Sequence, residues 1–498
     1  MLVKDVLRTL DLGNSVAEHD EALERYFVET EAFRRLVRDE GDIVAGDKGT
    51  GKTALYRILQ RRYRGIDDLR GVEVISAFNP VGNPVFQRLA EGDVLEEGQY
   101  TSIWKAYFLS LIGNWLLAIY EDGLTEPMRS LDGLLGRLGL RSKDASANAV
   151  FSGLVNLVRR ITNPRSAEAA ISLGPAGLPV VVPKIEFDDP GPPAPARIVP
   201  HEEAYELLER VLEEENLTVW VVLDRLDEAF QGFPQAEVPA LRALLRTYLD
   251  LREFERIRPK LFLRRDLFRR VTTGGFVNLT HVNARRIDIE WDDDDLFDLL
   301  YRRLLESHEF TAALQVELES SKVFAAVFVD KVDPGSRKPT TWSWMLSRIR
   351  DGNGIKPPRN LIDLVKKAQD AQLRQEARSA AEFLPGSPVI GSEALKRGLA
   401  ALSTERVEDT LLAEAGDYAP MIERFRRGKT EHNEASLAEQ LGVGAEEARG
   451  AAKVLREIGF LEQVGDSLKV PMLYRDGLGM TQGKAFPAAA VAADNEEE

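Results

Sequence analysis

The segment Gly46-Asp47-Lys48-Gly49-Thr50-Gly51-Lys52-Thr53 constrains this chain more than any other feature. It is G-x-x-x-x-G-K-T in full, and the spacing answers a physical demand. A polyphosphate is cradled when successive backbone N–H groups turn inward around it. Glycines at 46, 49 and 51 permit the positive φ angles and close approach that such a curl needs. Lys52 then reaches the β- and γ-phosphates as a compact cation, and the Thr53 hydroxyl is placed to ligate Mg²⁺. Asp42-Ile43-Val44-Ala45 reads as a short apolar strand before the loop, and Ala54–Leu59 has helical periodicity after it. The phosphates are therefore expected at a helix N-terminus. The predicted nucleotide-binding residues are Gly46, Asp47, Lys48, Gly49, Thr50, Gly51, Lys52, Thr53 and Ala54, with ATP and Mg²⁺ as ligands.

Such a loop needs an acidic strand end to hold Mg²⁺ through water. Val219-Trp220-Val221-Val222-Leu223-Asp224 supplies one: an apolar run, as in a buried parallel strand, ending in a carboxylate. Asp224 and Thr53 are the predicted metal residues. In the following Arg225-Leu226-Asp227-Glu228, Glu228 is the first choice to orient and polarise the attacking water and Asp227 the second. Lys260–Asp266 reads as the next central strand, whose basic end puts Arg265, with Arg264 as alternate, in position to sense the γ-phosphate. Val72–Phe78 and Arg286–Ile289 are further strands. Five strands with intervening helices predict a doubly wound parallel-sheet α/β core. Further on, Pro357-Pro358 sets a helix start, with Arg359 in its first turn. On a helical lid over the nucleotide, Arg359 reaches the phosphates.

At 498 residues the chain has room for two or three domains. Cysteine is absent, which excludes thiol chemistry and a disulfide framework and fits a cytoplasmic location. The start, Met1–Leu10, lacks the unbroken apolar core of a signal peptide. The most apolar stretch, Ala106–Tyr120, is short for a membrane span. Trp104, Phe108, Leu111, Trp115 and Leu116 are spaced like a helix buried against a sheet, so no membrane partner is expected. A net charge of -16 argues against a polyanion-binding surface over the whole molecule, though not against one local basic face. The five histidines are scattered without metal-ligand spacing.

Together these residues resemble the additional-strand class of P-loop ATPases, on the border of the AAA+ and STAND groups. Leu223–Glu228 is similar to the extended acidic motif of STAND proteins, where a small residue usually stands at position 225. Pro358-Arg359 resembles the sensor-2 motif of an AAA+ lid helix. Leu12–Glu18 and Tyr26–Thr30 are similar to a family of bacterial P-loop ATPases known mainly from genomes. The resemblance spans roughly residues 12–375. It implies ATP binding, slow hydrolysis and a conformational switch, with self-association or a protein partner. Many relatives act in defence or stress signalling. Arg269 and Arg270 are the best choices for an arginine finger.

The expected organisation is a helical N-terminal lead-in (1–31) and an ATPase core (32–295) carrying a helical insertion (95–163) and a low-complexity loop (164–200). A helical lid (296–384), a winged-helix domain (390–475) and a disordered acidic tail (476–498) follow. Val180–Val182 is a candidate edge strand. In the winged helix, Ala435–Val443 is a helix plus turn, Gly444–Ile458 the second helix and Gly459–Val470 a hairpin wing. That second helix carries Arg449, Lys453 and Arg456 against Glu446, Glu447 and Glu457, whereas a DNA-reading helix normally presents excess cations. Arg424, Arg426, Arg427 and Lys429 form a denser basic cluster. The leading reading is an ATP-driven molecular switch. The alternative is an ATP-regulated DNA-binding protein of the origin-recognition or loader type, with nucleic acid bound through the winged helix. A small-molecule kinase is a third reading, without an evident acceptor pocket.

Overall fold

The computed structural model describes residues 1–77, 95–142, 169–173, 179–183, 201–226, 228, 234–273, 275–413 and 415–486. The chain forms two compact units. One holds Glu31–Asp47 and Lys52–Ile289, the other Met1–Thr30, Lys48–Gly51 and Glu290–Glu498.

The first unit is a parallel α/β fold. Its strands are β1 (Ile43–Gly46), β2 (Val72–Ser76), β5 (Thr218–Leu223), β6 (Ile257–Arg264) and β7 (Arg286–Asp288), after a separate antiparallel pair, β3 (Ala169–Leu173) and β4 (Pro179–Pro183). The main sheet runs β2-β5-β6-β1-β7, all parallel. The chain steps one way from β1 to β2 and the other way through β5 and β6 to β7. Right-handed crossovers therefore place helices on both faces, which is a doubly wound sheet.

The alternation along the strands shows both faces. Val219, Val221 and Leu223 of β5, with Leu261 and Leu263 of β6, share one core with the helices after β2 and β5. Trp220, Val222 and Phe262 point the other way and are also buried. There Tyr56 of helix α1 (Lys52–Arg62) meets Phe262 edge-on, ring centroids 6.1 Å apart. Helix α2 (Glu97–Ile119) is the one helix among the described residues long and apolar enough to cross a membrane, yet 78% of that apolar window is buried inside the fold. Trp104, Phe108, Leu111 and Leu116 are buried, Trp115 partly so, and α2 packs on helix α3 (Pro234–Leu251).

Two expectations change in this unit. Part of the low-complexity stretch forms the β3–β4 pair, so Val180–Val182 joins its own two-stranded sheet rather than the edge of the main one. Arg265, expected on a strand, opens helix α4 (Arg265–Thr272), because β6 ends at Arg264.

The second unit is helical with a small sheet. Helix α5 (Asp293–Glu306) starts on Asp292, whose carboxylate accepts from the Asp295 N–H. Helix α6 (Pro358–Arg378) opens with proline in its first turn, where the missing N–H costs nothing. The winged helix is built from β8 (Lys429–His432), α7 (Glu434–Leu441), α8 (Ala445–Glu457), β9 (Glu462–Val464) and β10 (Ser467–Lys469). Asn433 caps α7 through the Ser436 N–H, and Gly442 ends it in the left-handed region. Phe425 meets His432 and Phe460 edge-on at its centre, and Phe460 in turn meets Tyr474 at a tilt.

Two corrections fall here. Residues 476–486, expected in the disordered tail, are ordered: β11 (Thr481–Lys484) pairs in parallel with β8. Residues 487–498 lie outside the described residues. The N-terminal segment is mostly not helical, with one helix at Val3–Arg8 and a single turn at Ala17–His19. Asp11 and Asn14 fold their side chains onto the N–H groups two residues on, an alternative that competes with helix. The segment is held instead by buried Arg303 of α5, which pairs with Asp20 at 2.9 Å, lies over the Tyr26 ring and donates to the Leu12 carbonyl.

Candidate functional site

In the sheet unit the topology brings three strand ends together. β6 lies between β1 and β5, so the loop after Gly46, the basic end at Arg264-Arg265 and the carboxylate Asp224 all leave the same edge of the sheet.

Lys52 begins α1, and its Nζ donates to the Gly46 carbonyl at 2.9 Å and the Asp47 carbonyl at 3.0 Å. Asp224 is 4% exposed. Burial pushes its carboxyl up to about 6, against weaker downward pulls from the Thr53 hydroxyl, the Arg225 N–H and the Lys52 charge. Its Oδ2 is buried and finds no hydrogen-bond partner among the described residues. A buried, half-satisfied carboxylate bonded to a threonine hydroxyl suits a hard divalent cation, which takes oxygen ligands and favours the ionised form. The donor set of Thr53 and Asp224 therefore fits Mg²⁺.

Arg265 is held by two carboxylates, Asp47 at 3.2 Å and Asp288 at 3.2 Å. Burial raises the Asp47 carboxyl, with Arg265 and Lys52 opposing. Arg264 turns to Asp266 at 3.0 Å. Arg225 adopts φ 58°, a left-handed turn uncommon for a long side chain, and its guanidinium lies 3.7 Å from the exposed Glu228. Asp227 lies outside the described residues. Ala54 is in the first turn of α1. Arg269 and Arg270 are exposed on α4, and Arg270 pairs with Glu237 at 3.0 Å.

In the helical unit, residues 48–51 of the loop meet α6 and the chain before α5. Gly49 has φ +79°, and a Cβ there would lie 3.1 Å from the Arg359 Cβ and 3.5 Å from the Pro357 Cβ. Only glycine combines that backbone with that approach. Gly51 has φ 101°, and Lys48 is exposed. Burial, then nearby Arg406, hold the Arg359 guanidinium below its ordinary value, with Glu18, Asp363 and Glu405 opposing. The buried Arg359 Nε finds no hydrogen-bond partner among the described residues. The Trp291 indole N–H donates to the Thr50 carbonyl at 2.8 Å, and its ring packs on Val28, Leu299 and Ile362.

Sequence reasoning had singled out neither Asp288 nor Trp291. Asp288 is one acid on a predicted strand, and Trp291 follows it in an ordinary linker; only the fold pairs them with the loop. In the winged helix, a groove of about 590 Å³ between α8 and the wing is lined by Arg449, Lys453 and Arg456, with Glu434 and Asp466 opposite in sign. Glu446, Glu447 and Glu457 are not among its lining residues. Three cations and three anions share this helix, but the cations gather on one side of it.

No family model matches the chain, and no curated protein matches it. Among solved structures it is similar to the Aeropyrum pernix ORC1 protein in complex with DNA, at 13% identity over 91% of this chain and 92% of that one, TM-score 0.31. The Aeropyrum pernix ORC2 protein with ADPNP and ADP aligns at 14% identity over 92% and 91%, TM-score 0.35. Cdc6p from Pyrobaculum aerophilum aligns at 12% over 92% and 95%, TM-score 0.28. With TM-scores this low, the likeness carries no weight for chemistry.

Proposed function

We propose that the chain is a Mg²⁺-dependent ATP-binding and ATP-hydrolysing switch. The observation that carries this reading is the buried Asp224 carboxylate, bonded to Thr53 directly after the lysine of a complete phosphate-binding loop. The residues take these roles. The backbone N–H groups of 48–53 and the Lys52 ammonium hold the β- and γ-phosphates. Thr53 and Asp224 hold the metal, which supplies charge neutralisation at the phosphate oxygens when bound. Glu228, with Asp227 as second choice, takes up a proton from the attacking water. To do so it must exchange the Arg225 guanidinium, 3.7 Å away, for the water. Arg265 and Arg359 sense the terminal phosphate. For Arg265 this means exchanging Asp47 or Asp288 for phosphate oxygens, an exchange that couples nucleotide state to β7. The domain bounds we propose are an N-terminal segment (1–31), an ATPase core (32–295), a helical lid (296–384) and a winged-helix domain that runs from 390 to 486.

The test is nucleotide binding by calorimetry. K52A is expected to lose ATP and ADP binding, because the loop then loses the ammonium that opens α1 and donates into the loop. Parental affinity in K52A would refute the site.

A second reading, duplex DNA binding through the winged helix, is favoured by the one-sided gathering of Arg449, Lys453 and Arg456 on the groove. It predicts a band shift that weakens steeply with salt. No shift at low salt with ATP present would remove it.

A further inference from the structure

We infer that Trp291 is a positioning residue for the phosphate-binding loop: its indole N–H fixes the peptide plane that aims the Gly51 N–H at the phosphates. The inference rests on the nucleotide-binding reading above and extends it to a residue no motif contains.

The geometry is direct. Trp291 Nε1 donates to the Thr50 carbonyl at 2.8 Å. In a trans peptide, the carbonyl of one residue and the N–H of the next lie in one plane and point in opposite directions. A donor that holds the Thr50 carbonyl toward the tryptophan therefore turns the Gly51 N–H away from it. That is the side from which an anion must arrive if the loop is a cradle. Gly51 needs this control more than most residues: at φ 101° it stands in a region open to glycine alone, and glycine by itself does not choose among its many conformations.

The donor is well anchored. The indole packs on Val28, Leu299 and Ile362, which are 5%, 6% and 3% exposed. Its position is thus set by apolar packing rather than by a flexible stem. Thr50 is itself 1% exposed, and Trp291 is half-buried, so the bond is partly shielded from water. Trp291 stands two residues before the first residue of α5. A rotation of α5 would carry the indole with it and move the Thr50–Gly51 plane. The readiness of residues 50–51 for phosphate is in this way tied to α5 within the helical unit, independently of any arginine that touches the nucleotide.

Because Gly51 lies in the part of the motif that wraps the phosphate shared by ADP and ATP, the role predicts an effect blind to the γ-phosphate. W291F keeps an aromatic ring on the apolar cluster and removes the donor. The experiment measures ADP and ATP dissociation constants by calorimetry on the full chain, with steady-state turnover and the thermal midpoint of the nucleotide-free protein. Both nucleotides are expected to weaken together by roughly threefold to tenfold, the usual worth of one net hydrogen bond. KM for ATP should rise in step, with kcat within about twofold of the parental value. A merely structural role would lower the midpoint and leave the affinities alone. If W291F does not fold, 3-benzothienylalanine in place of Trp291 keeps the indole outline, lacks the N–H and carries the same test. Parental affinity for both nucleotides, or a loss confined to ATP, would overturn the inference. A parental chain that binds neither nucleotide would bring down the phosphate-loop reading first, and this role with it.

Discussion

Replacing Asp224 by asparagine should make the nucleotide-free protein more stable at neutral pH, although it removes the proposed metal-holding carboxylate. Asp224 is almost wholly buried, and burial pushes its carboxyl from an ordinary 3.8 up to about 6 despite the Thr53 hydroxyl. A rise of about two units corresponds to about 3 kcal/mol of destabilisation in the ionised state. An amide of the same shape still accepts from Thr53 and carries no charge. The sign follows from proton counting. Between about pH 4 and pH 6 the folded chain binds more protons at Asp224 than the unfolded chain. The cost of this carboxylate is therefore absent at low pH, grows as pH rises through that window and is complete above it. D224N should be more stable than the parent by about 3 kcal/mol at pH 7.5, and by about half that at pH 5. Urea denaturation followed by circular dichroism, without Mg²⁺ or nucleotide, reads both values. Saturating Mg²⁺ and ADP should reverse the order, because only the parent gains the full binding free energy. An advantage of equal size at both pH values, or a D224N chain less stable at pH 7.5, would refute the argument.

Other perturbations follow from the same geometry. E228Q should bind ATP as tightly as the parent and lose most turnover, by a hundredfold or so on the usual scale of general-base loss; parental turnover would transfer the role to Asp227. G49A should bind ATP about tenfold more weakly, since a φ of +79° strains any L side chain and a methyl group 3.1 Å from the Arg359 Cβ would press on it; calorimetry measures this, and unchanged affinity would show that the loop tip adapts. R303A should destabilise the helical unit by about 3 kcal/mol, because it leaves the Asp20 carboxylate buried without its cation, though the Tyr26 hydroxyl still donates to it. Thermal melts should show it, with nucleotide affinity falling only as the folded fraction falls.

The parts of the fold that were legible in sequence are those written in short stretches of chain. The run Ile43–Gly46 and the run Thr218–Leu223 announce buried strands by their unbroken apolar side chains, and the loop between Gly46 and Thr53 announces its own curvature. The strand that includes Lys260 was legible as a central one, but nothing in the local pattern says that Lys260 itself would be buried. In the fold it is wholly buried, donating to Asp42 at 2.7 Å and lying 4.0 Å from the centre of the Trp220 ring. The N-terminal segment defeated pattern reading for a related reason. Its shape is decided by Arg303, 283 residues beyond Asp20, and no local periodicity encodes such a partner. In the site, the loop and Asp224 could be read directly. Trp291 could not, since a lone tryptophan in a linker has the same appearance whether it fills a core or holds a carbonyl. The charges of α8 were visible as a count, and the i, i+4, i+7 spacing of Arg449, Lys453 and Arg456 puts them on one face, but that this face lines a groove needs the wing and α7 in place.

The central claim is that this loop and Asp224 hold one nucleotide with its metal. Native mass measurement of the full chain with Mg²⁺ and a non-hydrolysable ATP analogue tests it most directly. One analogue and one Mg²⁺ per chain are expected on the parent, and neither on K52A. A parent that keeps its apo mass at saturating analogue, or a K52A chain that gains the same increment, would contradict the account.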